Sequence, residues 1–154
     1  MPTSVWICLI VAGMLAALLV FWFVGMSHEI QGERARELFR LQRSRLESQF
    51  LAAAQRTGSP RGLVWLSCVF DGECVFAWDR TTRRVTAFAP VTIRFEAEPD
   101  GEMVGLPAVE QAREATALLV FERGQWTTVG KVVFNHTPEQ TLDRFAGQYQ
   151  RIAE

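Results

Sequence analysis

The sequence predicts an α+β protein. The expected order is a transmembrane helix, a juxtamembrane helix and a five-stranded, largely antiparallel sheet, a meander of hairpins packed with a carboxy-terminal helix. Three observations carry this. No Asp, Glu, Lys or Arg precedes Glu29. Helix formers dominate from Glu33 to Gln55, and aromatic and β-branched residues punctuated by Asp-Gly and Arg-Gly pairs fill Leu63 to Phe134. The organisation read from this is a flank at 1–3, a transmembrane helix at 4–25, a juxtamembrane amphipathic helix at 26–57 and a small α+β domain at 58–154.

The uncharged run from Ser4 to Val24 would form a helix about 30 Å long, the thickness of a bilayer's hydrocarbon core. A cleaved signal peptide fits it poorly. Nothing basic precedes the core except the amino terminus, the core is long, and Gly25-Met26-Ser27-His28 makes a poor cleavage site. The expectation is an uncleaved signal-anchor. Trp6, Trp22 and Phe23 stand near its two ends, where amphipathic rings favour the membrane interface. Cys8, Ala12 and Ala16, with Gly13 and Ala17 one position on, form a small-residue face of the kind that lets helices pair, although such residues are common in any membrane helix.

Arg34, Arg36, Arg40, Arg43 and Arg45 follow the span, while its short amino-terminal flank has no basic side chain. Basic flanks are retained on the cytoplasmic side. The expected topology in the cell membrane is therefore single-pass, with the amino terminus outside and the carboxy-terminal domain cytoplasmic. These arginines, interleaved with Glu33, Glu37 and Glu47, also read simply as the solvated face of a charged helix.

Ser27 is a candidate cap for the second helix, with Gly32 weakening its first turn. Ala35, Leu38, Phe39, Leu46, Phe50, Ala53 and Ala54 then recur near helical spacing, and Gln42 and Gln49 interrupt any strict heptad. Such a stripe docks on a domain more readily than it pairs with a copy of itself. Thr57-Gly58-Ser59-Pro60 ends it.

Strands are expected at about 63–70, 74–78, 84–97, 112–122 and 125–134. Asp71-Gly72 reads as a two-residue hairpin turn that would place Trp65 opposite Trp78 and Val69 opposite Cys74. Cys68 and Cys74 would then point to opposite faces, whereas a three-residue loop would put them on one face. Both hairpin faces are apolar, so it should be central or covered on both sides. Val91, Ile93, Phe95 and Ala97 alternate with Thr92, Arg94 and Glu96, and Pro90 marks an edge or a bulge. Residues 98–110 form an acidic loop, the expected functional loop by position. Arg123-Gly124 turns a second hairpin that would pair Phe121 with Trp126 and Leu118 with Val129. Thr137-Pro138-Glu139-Gln140 carries a capping-box pattern for a helix at about 138–152, with Leu142, Phe145, Tyr149 and Ile152 on one face.

Composition narrows the function classes. The net charge of −1 indicates no nucleic acid partner. The charge is unevenly placed, however: residues 29–61 hold seven arginines against four glutamates, and residues 96–122 hold seven acids against Arg113 alone. Arginine greatly outnumbers lysine, Lys131 being the only one, as a GC-rich genome would produce. Three cysteines, one of them in the span, are no disulfide framework and suit a reducing compartment.

No catalytic, cofactor-binding or metal-ligating set is expected. The only histidines, His28 and His136, are far apart in sequence, no phosphate loop occurs, and Cys68 and Cys74 sit in apolar strands. Trp65, Trp78 and Trp126 either belong to the core or line a pocket between sheet and helix. Besides the lipid bilayer, the expected partner is a protein or a second copy, so the domain would mediate interaction or self-association at the membrane rather than act as an enzyme. The rival expectation is a membrane-tethered small-ligand or enzymatic pocket between sheet and helix.

Overall fold

A computed structural model describes residues 3–153, and the side chains of 6–23 and 30–153. The chain divides into two compact units, Met1–Arg34 and Ala35–Glu154. In the first unit, Trp6–Phe23 has a mean hydropathy of 2.5 and no side chain buried in the protein, so this helix is long and apolar enough to cross a membrane. A signal sequence near an amino terminus meets the same criteria. The helix, α1, is assigned over Thr3–Leu41 with no new start near Glu29, and Ser27 lies among the side chains outside the description.

In the second unit the end of α1 is followed by α2, Arg43–Thr57. The break falls at Gln42 rather than near residue 26, with φ −107° and ψ 13°. Hydrogen bonds from Gln42 N to Leu38 O (3.0 Å) and Leu46 N to Gln42 O (2.9 Å) carry the chain through it. Ala35, Phe39, Leu46, Phe50 and Ala54 are buried, so the helical stripe docks on its own domain.

Among the described residues the sheet has seven strands rather than five: β1 (Leu63–Phe70), β2 (Val75–Asp79), β3 (Val85–Ala97), β4 (Arg113–Glu122), β5 (Gln125–Thr127), β6 (Val132–Phe134) and β7 (Tyr149–Arg151). Every pairing is antiparallel. The Asp71-Gly72 hairpin does not form. β1 pairs with residues 91–97 of β3 and β2 with residues 85–88, so β1 and β2 run in line along the same edge of one long strand. Residues 71–74 are an excursion opposite Ala89 and Pro90, and the reversal comes at Asp79–Arg84, where Asp79 N donates to Arg84 O at 2.9 Å. Pro90 O accepts from Asp71 N at 3.0 Å. A strand residue's N and O face the same neighbour, so the amide hydrogen that proline lacks is missing where the ladder is already interrupted.

The Arg123-Gly124 turn forms as expected, with φ of 52° and 77°, and Phe121 pairs with Trp126. The strand after it does not continue to residue 134. Residues 128–131 leave the ladder opposite Leu118 and Leu119, and β6 resumes with Val132 opposite Ala117, so Leu118 does not meet Val129. Both long edges thus carry a four-residue excursion opposite two residues. The underlying order is a meander of four long strands with β7 added outside β2.

One face of the sheet presents Ala87, Ala89, Ala115 and Ala117, small enough for the helices to approach closely. Phe39, Leu46 and Phe50 fill that space, and a wholly buried ring such as Phe50 contributes roughly 2–3 kcal/mol. The other face buries Val75, Ala77, Phe88 and Leu118 under Leu142 and Tyr149. The sheet is therefore covered on both sides at this end. The last helix, α4, keeps its predicted start but not its length. Thr137 Oγ1 accepts from Gln140 N and the Gln140 side chain from Thr137 N, yet the helix ends at Arg144. Tyr149–Arg151 then pairs with β2. A short helix, α3 (Pro107–Glu110), interrupts the acidic loop.

Candidate functional site

Trp65 and Trp126 belong to the core. Trp65 packs with Phe50, Phe95 and Phe134, and Trp126 with Phe39, Phe76 and Phe121 at centroid separations of 5.3, 6.0 and 5.2 Å. Their indole nitrogens donate to Gly58 O (3.1 Å) and Ala35 O (2.9 Å). Trp78 is half-buried and packs against the same cluster. Among the described residues, clefts open elsewhere on the surface, and no tryptophan lines the three described below.

The arginines after the apolar segment of α1 divide by role. Arg36 Nη2 donates to Ile152 O (3.2 Å) and Ala153 O (2.7 Å), and Arg43 Nη2 to Phe70 O (2.6 Å) and Gly72 O (3.2 Å). Arg34, Arg40 and Arg45 are exposed. In the first unit Trp6, Trp22, Phe23, Cys8, Ala12, Gly13, Ala16 and Ala17 are all exposed, and a Cβ added to Gly13 would have nothing within 4 Å beyond its own turn of helix.

Burial raises the thiols of Cys68 and Cys74 to about 11. Glu47 adds to the shift at Cys68, whereas the Arg43 charge opposes it at Cys74. At neutral pH both are protonated, poor nucleophiles. No group of three metal-binding side chains occurs among the described residues.

One cleft, about 700 Å³, is lined by Asp71, Glu114, His136, Thr137 and Gln140 beside Pro90. Several of its polar groups are engaged with one another or with nearby backbone. Thr92 donates to Asp71, and Thr137 and Gln140 cap α4. His136 Nδ1 lies 2.9 Å from Phe134 O, a contact that assigns the proton to Nδ1. Nε2 is left to accept from Arg144 Nη1 at 3.4 Å. Both ring nitrogens are thus engaged, and neither contacts a hydroxyl or thiol among the described residues. A smaller cleft of about 210 Å³ lies between Cys74, Phe76, Arg36 and the ion-paired Glu139 and Arg151 (2.8 Å).

A third cleft, about 740 Å³, lies between the open sheet face and the acidic loop. A bulge builds it. Trp65 pairs with Phe95 and Ser67 with Arg94, so Leu66 is an extra residue in β1. That residue shifts the phase of the strand, so that Trp65, Cys68 and Phe70 all bury against the helices and Leu66 is left 52% exposed. Without the bulge, strict alternation along β1 would put Leu66 on the same face as Cys68 and Phe70. Val104 and Leu106, 59% and 46% exposed, complete the apolar lining from the loop. Glu96, Asp100 and Glu110 border it against one cation, Arg94. The side chains of these three acids have no ion-pair partner among the described residues.

The chain matches no protein-family model, no curated protein and no solved structure.

Proposed function

We propose that this is a single-pass membrane protein whose α+β domain works by contacting protein at the membrane. In this reading residues 4–25 are an uncleaved anchor, the amino terminus is outside and the domain is cytoplasmic. The arginines that follow the span support that orientation. The contact surface is the cleft at Leu66, Val104 and Leu106.

A single observation carries the contact role. Trp65, Trp126, Phe39 and Phe50 are buried in one cluster between helices and sheet, yet three large apolar residues gather in solvent around one cleft bordered by acids. An apolar centre with a polar rim is the general anatomy of protein interfaces.

The test is a photo-crosslinking residue at Val104 of the full chain in its native membrane, with Gln125 as the control position. Protein adducts at Val104 and none at Gln125 support the proposal. An absence of adducts at Val104 overturns it. For orientation, a cysteine placed at Gln125 should react with an impermeant maleimide only after permeabilisation. Reaction in intact cells would reverse the topology.

A further inference from the structure

The acidic cleft has a complement on the same chain. At the break between α1 and α2, Leu41 stands 69% exposed, a large apolar side chain that the domain leaves uncovered. Arg40 and Arg45 flank it and are both exposed. Arg45 has no hydrogen bond or ion pair among the described residues, and the one contact of Arg40 is to Glu37 at 3.9 Å, with both side chains largely in solvent. The corner therefore carries an exposed apolar side chain and two exposed guanidinium groups close to it in the chain. The cleft is an apolar floor between carboxylates that have no ion-pair partner.

We propose that the cleft receives this corner from a second copy of the chain. Leu41 of one copy meets Leu66, Val104 and Leu106 of the other, while Arg40 and Arg45 meet Asp100 and Glu110. The proposal rests on the reading of the cleft as a protein contact and names its occupant. Charge supports a second copy over an arbitrary partner, because the arginine excess of residues 29–61 and the acid excess of residues 96–122 are opposite in sign. The two surfaces differ, so the contact is heterologous, and it closes into a dimer only if each copy can fill the other's cleft.

The difference between the two surfaces gives a decisive experiment. Full chains labelled with donor or acceptor at the amino terminus are mixed in vesicles of neutral phosphatidylcholine, and energy transfer is read. One variant reverses the corner, Arg40→Glu with Arg45→Glu. The other reverses the cleft, Asp100→Arg with Glu110→Arg. The wild type should show transfer that weakens at high salt, because exposed charges are screened. Each variant alone should lose at least tenfold in apparent affinity, since like charges then face each other. The two variants mixed should recover transfer, because a reversed corner fits a reversed cleft. That recovery also shows that both variants are folded.

No transfer in the wild type overturns self-association. Transfer that both variants retain overturns the assigned surfaces and points to pairing elsewhere, the span included. The crosslink at Val104 separates this proposal from the broader one. An adduct between two differently tagged copies supports both, an adduct with a different protein overturns only the second copy, and no adduct overturns both.

Discussion

Gly130 lies against the backbone of Ala54. A Cβ built on Gly130 would stand 2.6 Å from Ala54 Cα and 2.7 Å from the carbonyl carbon of Ala53. Its φ of 76° is also in the left-handed region. The second excursion is thus the seat of the carboxy-terminal half of α2. Thr57 Oγ1 donates to Val129 O at 2.7 Å alongside the contact, and Gly130 N donates to Thr128 Oγ1 at 3.0 Å within it.

Gly130→Ala should destabilise the domain by about 3 kcal/mol or more, since it adds a backbone clash to an unfavourable φ. The expected measurement is a lowered urea midpoint with an unchanged slope. A midpoint equal to that of the wild type would show that α2 does not sit this close.

Among the described residues strand β1 pairs with β3 alone, and α2 guards its other edge. Glu47 Oε1 accepts from Phe70 N at 2.8 Å, Arg43 donates to Phe70 O, and Gln55 Nε2 donates to Trp65 O at 3.1 Å. Glu47→Ala leaves the part-buried Phe70 amide unmet and should cost about 1–2 kcal/mol. Glu47→Gln keeps an acceptor at the same reach and should cost clearly less. Equal losses in denaturant unfolding would remove the hydrogen bond as the cause.

Asp79 organises the reversal between β2 and β3. Its Oδ1 accepts from Thr81 N (2.8 Å) and Thr82 N (3.1 Å), and its Oδ2 from Gln148 Nε2 (3.3 Å). Burial pushes its pKa up, but these donors outweigh it and leave the carboxyl below its usual value. A depressed folded pKa adds stability above the unfolded pKa, and that stability is lost as pH falls through the folded value. Asp79→Asn should therefore flatten the acid limb of the stability profile below about pH 4. An unchanged acid limb would show that another carboxylate controls it.

Cys68 and Cys74, both raised to about 11 by burial, should react with an aromatic disulfide reagent at pH 8 far more slowly in the folded protein than in urea. Since the raised thiols favour the protonated folded state, they contribute stability below the unfolded pKa. That contribution fades as pH climbs from about 9 towards 11. Fast native labelling at either position would show an open path to the thiol.

Much of the sheet is legible residue by residue. The alternation from Val91 to Phe95 places its inward residues correctly, and Arg123-Gly124 gives the turn that pairs Phe121 with Trp126. Asp71-Gly72 misleads because a local turn preference competes with a partner far along the chain. β3, at 13 residues, is long enough to pair β1 and β2 end to end. The spacing of Leu142, Phe145 and Tyr149 imitates a helical face, yet Tyr149 reaches Phe88 (5.1 Å between ring centroids) from a strand. Leu66 gave no signal as a candidate, since a bulge leaves no mark in a run of apolar residues.

The sequence alone determined what depends on neighbours along the chain: an uncharged helix of membrane-spanning length, a docking stripe on α2, the capping box at Thr137 and most strand boundaries. Tertiary structure decided which strand lies beside which, where the two excursions fall, and that Leu66, Val104 and Leu106 share one cleft. Register and bulges are set by contacts between distant segments, as between Gly130 and Ala54, and no local preference encodes such a contact.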